Sequence, residues 1–303
     1  MSTRYQNSVE GHLIKLKAQI PSLVDQDDFV QPSLMQIDLN AEVNYHLRLI
    51  QQPSPDFAPY APQNLKHELV LNDLVGQELS IEFLKKINCI YCGRKIRKTY
   101  SDGYCYQCFI EQPTAAECVI RPALCQAHLG GGRDPEWEQV NHMVPHYVYL
   151  ALSSKLKVGV TRDWPTRWLD QGADAIKVIA CTPYRQLAGL IELELAQHYS
   201  DKLSWQGMLK GNIIEGVDLH QEAQRCKDLL SNELIQYLTP NSALLSLKYP
   251  INEYPSKVKS TKLDKQDELS GTLMGVKGQY LIFDQNRVIN MRSHSAYQVR
   301  INY

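Results

Sequence analysis

A chain of 303 residues with a formal net charge of −1 has room for about two domains and carries no whole-molecule field that would draw it to nucleic acid or an anionic membrane. Its 44% hydrophobic and 21% charged residues are the composition of a folded soluble protein. The polar start MSTRYQNSVEGH lacks the apolar core of a secretory signal, and no apolar run approaches the roughly 18 residues that span a bilayer. The expectation is a cytoplasmic protein without a membrane partner.

In chain order, residues 9–50 read as β-rich, with GHLIKLKAQI and VNYHLRLI as strands. QQPSPDFAPYAPQ (51–63) carries four prolines and reads as irregular. ELVLNDLVGQELSIEFL (68–84) reads as strand, turn at Asn72–Asp73 or Val75–Gly76, then strand. A cysteine-rich segment fills 89–145, and mixed α/β character runs from 146 to 240. NEYPSKVKSTKLDKQDE (252–268) reads as a linker, and the end as short strands turning at Gly278 and Asp284–Asn286. The expected organisation is a β-rich domain at 1–88, a zinc-binding region at 89–145, an α/β core at 146–240, and a linker with a C-terminal β segment at 241–303. GHLIKLKAQ near the start and GTLMGVKGQ near the end share Gly, Leu, Lys and Gln at matching spacings. Either the terminal segments pair into one small barrel or the match is chance.

Six of the eight cysteines lie between Cys89 and Cys125, which in a chain without a signal peptide points to metal ligands and not to disulfides. Cys89, Cys92, Cys105 and Cys108 form two C-x2-C pairs twelve residues apart. Each pair presents two thiolates from one tight turn, and four suit tetrahedral Zn²⁺. Gly93 follows the first pair, where the turn favours positive φ. Such a closed thiolate shell is structural. Around it sit Lys85, Lys86, Arg94, Lys95, Arg97 and Lys98, interleaved with Tyr91, Tyr100, Tyr104 and Tyr106. That pattern fits phosphate contact with base stacking, or a solvated basic face.

A second zinc site is expected from Cys118, Cys125, His128 and His142, with Cys125 and His128 as a C-x2-H pair and His146 as the alternative fourth ligand. GGGRD (130–134) would be the turn that lets this segment wrap the ion.

The stretch YVYLAL (147–152) alternates with period two and reads as a strand, SSK as a turn, and LKVGV (156–160) as its hairpin partner. Asp163 and Pro165 open a helix that runs through Arg167 and stops at Gly172. AIKVIAC is a third strand, and Thr182 and Pro183 open a second helix, PYRQLAGLIELELAQHYS. On that helix Leu187, Leu190, Ile191 and Leu195 define the buried arc, Glu192 falls at its edge and Glu194 inside it. Trp164 and Trp168 are spaced for packing.

This β-β-α-β-α order, with VYLA, KVG, Arg167 and the helix glutamates, resembles the catalytic core of the GIY-YIG nuclease superfamily. KVGVTR, RWLDQGA, the four-cysteine ribbon and AGLIE together are similar to an uncharacterised bacterial family of unknown function. The superfamily resemblance implies that strand tyrosines surround an attacking water, that a glutamate holds a divalent ion such as Mg²⁺, and that the helix arginine meets the phosphate. Carried over, Tyr149 positions or deprotonates the water with Tyr147 as the nearby alternative, Arg167 clamps the phosphate with Arg162 in support, and Glu192 holds the metal ahead of Glu194. The chain departs from the pattern at Lys157, which stands where the second tyrosine is usual, and no asparagine matches the one often found near the end of that core.

The fold class expected is α+β: β-rich terminal segments, a central zinc ribbon and a small β-β-α-β-α GIY-YIG-like core. The functional expectation is a zinc-ribbon protein acting on DNA or RNA, with Mg²⁺-dependent cleavage by the core. The alternatives are a non-catalytic nucleic-acid-binding zinc protein and a zinc-stabilised protein-interaction adaptor.

Overall fold

A computed structural model of the chain describes residues 5–21, 38–54, 62–162, 166–199, 204–239 and 241–303. The fold is α+β and divides into two compact units. The first gathers Met1–Gln19, Val43–Ile110 and Tyr249–Tyr303; the second gathers Ile20–Glu42 and Glu111–Lys248. These units are drawn otherwise than the four consecutive segments read from the sequence, because each is assembled from separated stretches of chain.

The first unit is one mostly antiparallel sheet. Its order is Lys259–Thr261, Arg287–Asn290, Tyr280–Phe283, Glu268–Lys277, Glu78–Ile87, Tyr297–Asn302, Ser8–Leu13, Asn44–Ile50, Lys17–Gln19, with Leu65–Val70 also paired to Asn44–Ile50. The terminal strands do meet: Val9 pairs with Ile301 and Gly11 with Val299. The partner of the first strand is the last strand, however, and not the echoing GTLMGVK segment, which pairs with Glu78–Ile87. The sheet path does not close, so the barrel reading is corrected. Alternate residues such as Leu79 and Ile81, Leu269 and Leu273, and Val299 and Ile301 are fully buried, as period-two patterning requires. The segment read as a linker at 252–268 contributes a strand, Lys259–Thr261, which pairs parallel with Arg287–Asn290. The turns expected at Gly278 and Asp284–Asn286 hold left-handed residues at Gly278, Gln285 and Asn286.

In the second unit, helix α1 (Pro135–His142) is followed by strands β1 (His146–Leu152) and β2 (Leu156–Thr161), helix α2 (Thr166–Gln171), strand β3 (Ala175–Thr182), helices α3 (Arg185–Leu195) and α4 (Leu219–Leu229), and strand β4 (Leu244–Lys248). Strand Leu39–Glu42, β4, β3, β1 and β2 lie side by side in that order. Val148, Leu150, Val158, Val160 and Ile179 pack against Ala188, Ile191 and Leu195 of α3 and Ala223 and Cys226 of α4. Tyr147 and Tyr149 therefore point to the opposite face of β1.

One helix start differs from the sequence reading. Thr182 ends β3, and α3 begins at Arg185 behind Tyr184; the Thr182 hydroxyl is spent on the backbone oxygens of His146 and Tyr184 instead of capping a helix. The buried arc of α3 is Arg185, Ala188, Gly189, Ile191 and Leu195, with Leu187 and Leu190 only partly covered. The expected cap at Asp163, Pro165 and the ring of Trp164 lie outside the described residues. Helix α2 does stop at Gly172, at φ 68°. Among the described residues no helix is long and apolar enough to cross a membrane.

Candidate metal centres and a candidate phosphate site

The Sγ atoms of Cys89, Cys92, Cys105 and Cys108 all lie within 4.8 Å of one another. Two sulfurs on one tetrahedral zinc, each about 2.3 Å from it, stand about 3.8 Å apart; Cys92 and Cys105 are 3.9 Å apart. The backbone sets this up. Gly93 takes φ 70°, its N–H donates to the Cys89 carbonyl, and a Cβ there would lie 2.2 Å from the Pro53 oxygen. Backbone N–H groups of Cys105 and Cys108 donate to the sulfurs of Cys89 and Cys105, a pattern that favours thiolates. Burial and the hydrogen bonds of Cys105 and Cys92 push the Cys108 thiol up. Beside it, Arg94, Lys95, Arg97 and Lys98 are exposed, and Lys98 stands 5.2 Å over the Tyr100 ring, which also packs on Tyr106 and Phe109.

A second group brings together Cys118, Cys125, Glu138 and His142, all buried, again with ligand atoms within 4.8 Å. Cys125 Sγ and His142 Nδ1 are 3.5 Å apart, close to the roughly 3.6 Å expected for a sulfur and an imidazole on one zinc. Three of the four residues expected here are present. His128 is not: its ring stacks on Tyr184 at 5.3 Å. Glu138 takes that place because α1 sets it four residues before His142, on the same face. Its Oε2 contacts His142 Nδ1, and its Oε1 is buried without a hydrogen-bond partner among the described residues. Asp134 caps α1 by accepting from the Trp137 N–H, which fixes that face. The alternative ligand His146 donates through Nδ1 to the Val144 carbonyl oxygen at 2.8 Å and stays outside the group. Gly132, in the GGGRD turn, lies against Glu138: a Cβ there would meet its Cγ at 2.5 Å. Both groups can hold a metal ion and are compatible with zinc.

The third cluster lies in the β-β-α-β-α segment. Tyr149 is fully buried, packs on Trp168 at 5.3 Å, and its hydroxyl donates to Gln171 Oε1 at 3.5 Å. Lys157 Nζ donates to the same oxygen at 3.5 Å. The tyrosine ring can lie there because its cross-strand partner is Gly159, where a Cβ would fall 2.6 Å from the hydroxyl. Burial pushes the Tyr149 phenol up to about 12, against the pull of Arg167. Half-buried Glu192 is also raised by burial, while Arg167, Lys157 and Arg185 hold it down. Tyr149, Lys157, Arg167 and Glu192 thus act on one another. Gln171 belongs with them and was not picked out from the sequence, although it sits four residues past Arg167 on the same helix face.

The remaining expected residues lie elsewhere. Arg162 donates to the backbone and side-chain oxygens of Asn141. Tyr147 is buried beside Cys181. Glu194 is half-exposed and accepts from the Ser231 N–H and hydroxyl at 2.9 and 3.0 Å, so it needs no arginine.

The model of a family described as "Protein of unknown function (DUF2797)" matches residues 76–299. The chain belongs to that family. No curated protein and no solved structure matches it.

Proposed function

We propose that this is a zinc-holding protein that acts on nucleic acid, with the phosphodiester backbone bound at the Tyr149–Lys157–Arg167–Glu192 cluster. The observation that carries this reading is the electrostatic meeting of Lys157, Arg167 and Arg185 around one carboxylate. Three cations act on that one carboxylate, inside a nearly neutral molecule. A planar guanidinium and an ammonium at that place suit a phosphate, gripped in two points by Arg167 and in one by Lys157. The exposed Arg94, Lys95, Arg97 and Lys98 beside the ribbon's aromatic cluster are the second surface this reading uses. Retention of single-stranded DNA or RNA at low salt tests it: retention as strong in Arg167→Ala with Lys157→Ala as in the wild type contradicts it.

Cleavage is the second reading, supported by Glu192, the acidic member of the cluster, and by the resemblance of the segment to the GIY-YIG core. Mg²⁺ commonly takes one or two carboxylates and fills its shell with water and substrate oxygens, so Glu192 with a bound phosphate fits it. The ion would polarise a phosphoryl oxygen, while Arg167 neutralises charge developing on the phosphate. Tyr149, neutral and buried, shares the Gln171 side-chain oxygen with Lys157 and is not a base on this reading. Incubation with Mg²⁺ decides it: cleavage lost in Glu192→Ala with binding retained supports nuclease action, and binding without cleavage leaves a binding protein.

A further inference from the structure

The two metal groups differ in kind. The first is four thiolates, a shell with no position left for anything else. The second is two thiolates and an imidazole with a carboxylate. Two sulfurs and one nitrogen are a ligand set that zinc sites use when a fourth position is kept for an exchangeable group.

The surroundings of the second group match that difference. A cleft of about 450 Å³ is lined by Ala116, Glu117, Cys118, Leu124, Gln126, Gly132, Arg133 and Glu138. Of the four members of the group, Cys118 and Glu138 line it, and Cys125 and His142 do not. Glu138 Oε2 is the carboxylate oxygen in the ligand cluster, 4.0 Å from Cys118 Sγ and in contact with His142 Nδ1. Its other oxygen, Oε1, is buried without a hydrogen-bond partner among the described residues, so the carboxylate is held through one oxygen alone. Gly132 borders that oxygen; a Cβ there would stand 2.9 Å from it, so the glycine keeps open the space into which the carboxylate can turn. The cleft wall carries Arg133, which offers positive charge, and Glu117, which opposes it.

We propose that Cys118, Cys125 and His142 hold zinc permanently, and that Glu138 occupies a fourth position that a small carboxylate entering from the cleft takes over. The ligand class follows from the group displaced, which is itself a carboxylate, and from Arg133 on the wall. On this reading the centre is an accessible Lewis-acid site, separate in kind from the closed thiolate group. It does not depend on the nucleic-acid reading.

Cobalt in place of zinc, in the full chain, makes the test visible, with acetate as the probe. The wild-type cobalt protein holds two ions, and its visible absorption shifts as acetate is added. Glu138→Ala keeps both ions and responds at about tenfold lower acetate, because the tethered competitor is gone. Glu138→Cys keeps both ions, closes the shell with a third thiolate and gives no response. The proposal is overturned if acetate leaves the wild-type and Glu138→Ala spectra unchanged. It is equally overturned if Glu138→Ala holds only one ion, since Glu138 is then a holding ligand, or if Glu138→Cys still responds, since the response then comes from elsewhere.

Discussion

Arg185, at the start of α3, donates through Nε to the backbone oxygen of Cys118 at 3.0 Å, and through Nη2 to the oxygen of Val119 at the same distance. A buried guanidinium thus ties the segment that carries a metal ligand to the helix that carries Glu192. Four residues on, Gly189 lets that segment approach: a Cβ there would stand 2.1 Å from the Ala123 nitrogen and 2.3 Å from the Pro122 carbonyl carbon. Both residues lie on one helix face, where positions four apart meet the same neighbour.

Gly189→Ala therefore forces two backbones apart, and overpacking of this kind costs about 1–3 kcal/mol. Urea denaturation should show that loss, whereas Leu193→Ala on the exposed side of the same helix should change stability by about 0.5 kcal/mol or less. Equal effects from the two would contradict the packing described.

Metal content should be two zinc ions per chain. Cys92→Ser should remove one ion and leave the other, and Cys125→Ser should do the same from the second group, since the two groups share no ligand. Mass spectrometry of the native protein reads this directly. A wild-type content of one ion would remove the second centre from the account.

Tyr149 gives a pH dependence with a definite sign. Its folded pKa, about 12, lies above the ordinary 10, so the folded state holds the proton more tightly. The resulting stability is fully present below pH 10 and is lost as pH rises from 10 towards 12, to a total on the order of 3 kcal/mol. Tyr149→Phe should flatten the fall in stability over that window relative to wild type, by that amount. An unchanged slope would mean that the phenol is not buried as described.

Gly159→Ala places a methyl where the Tyr149 hydroxyl lies. It should displace the tyrosine from Gln171 and weaken nucleic-acid retention several-fold, while both zinc ions stay bound. Retention unchanged from wild type would separate Tyr149 from the phosphate cluster.

Much of this was legible in the sequence where ligand spacing or a short-range pattern carries the information. The C-x2-C pairs and Gly93 announced the first metal group, because a knuckle is set by a few consecutive residues. Strand β1 was legible from alternation, and β2 as its partner across a short turn. Glu138 was missed although its spacing to His142 is a helical i,i+4 pair; the C-x2-H spacing of Cys125 and His128 competed with it, and a carboxylate is a less conspicuous ligand than an imidazole. The pairing of Ser8–Leu13 with Tyr297–Asn302 spans nearly the whole chain, and no local signal encodes such a register. Thr182 looked like a helix cap because Pro183 follows it, but its hydroxyl found nearer partners in the backbone.

The most direct test of the account is the salt dependence of nucleic-acid retention, measured with single-stranded DNA and RNA of mixed sequence, on wild type and on Lys157→Ala with Arg167→Ala. Each lost phosphate contact lowers the slope of log affinity against log salt by about 0.7 for a single strand. The account predicts binding by the wild type that falls with salt, and a slope smaller by about 1.4 in the double variant. Wild-type binding with the same slope in the variant, or no retention by the wild type at low salt, would contradict it.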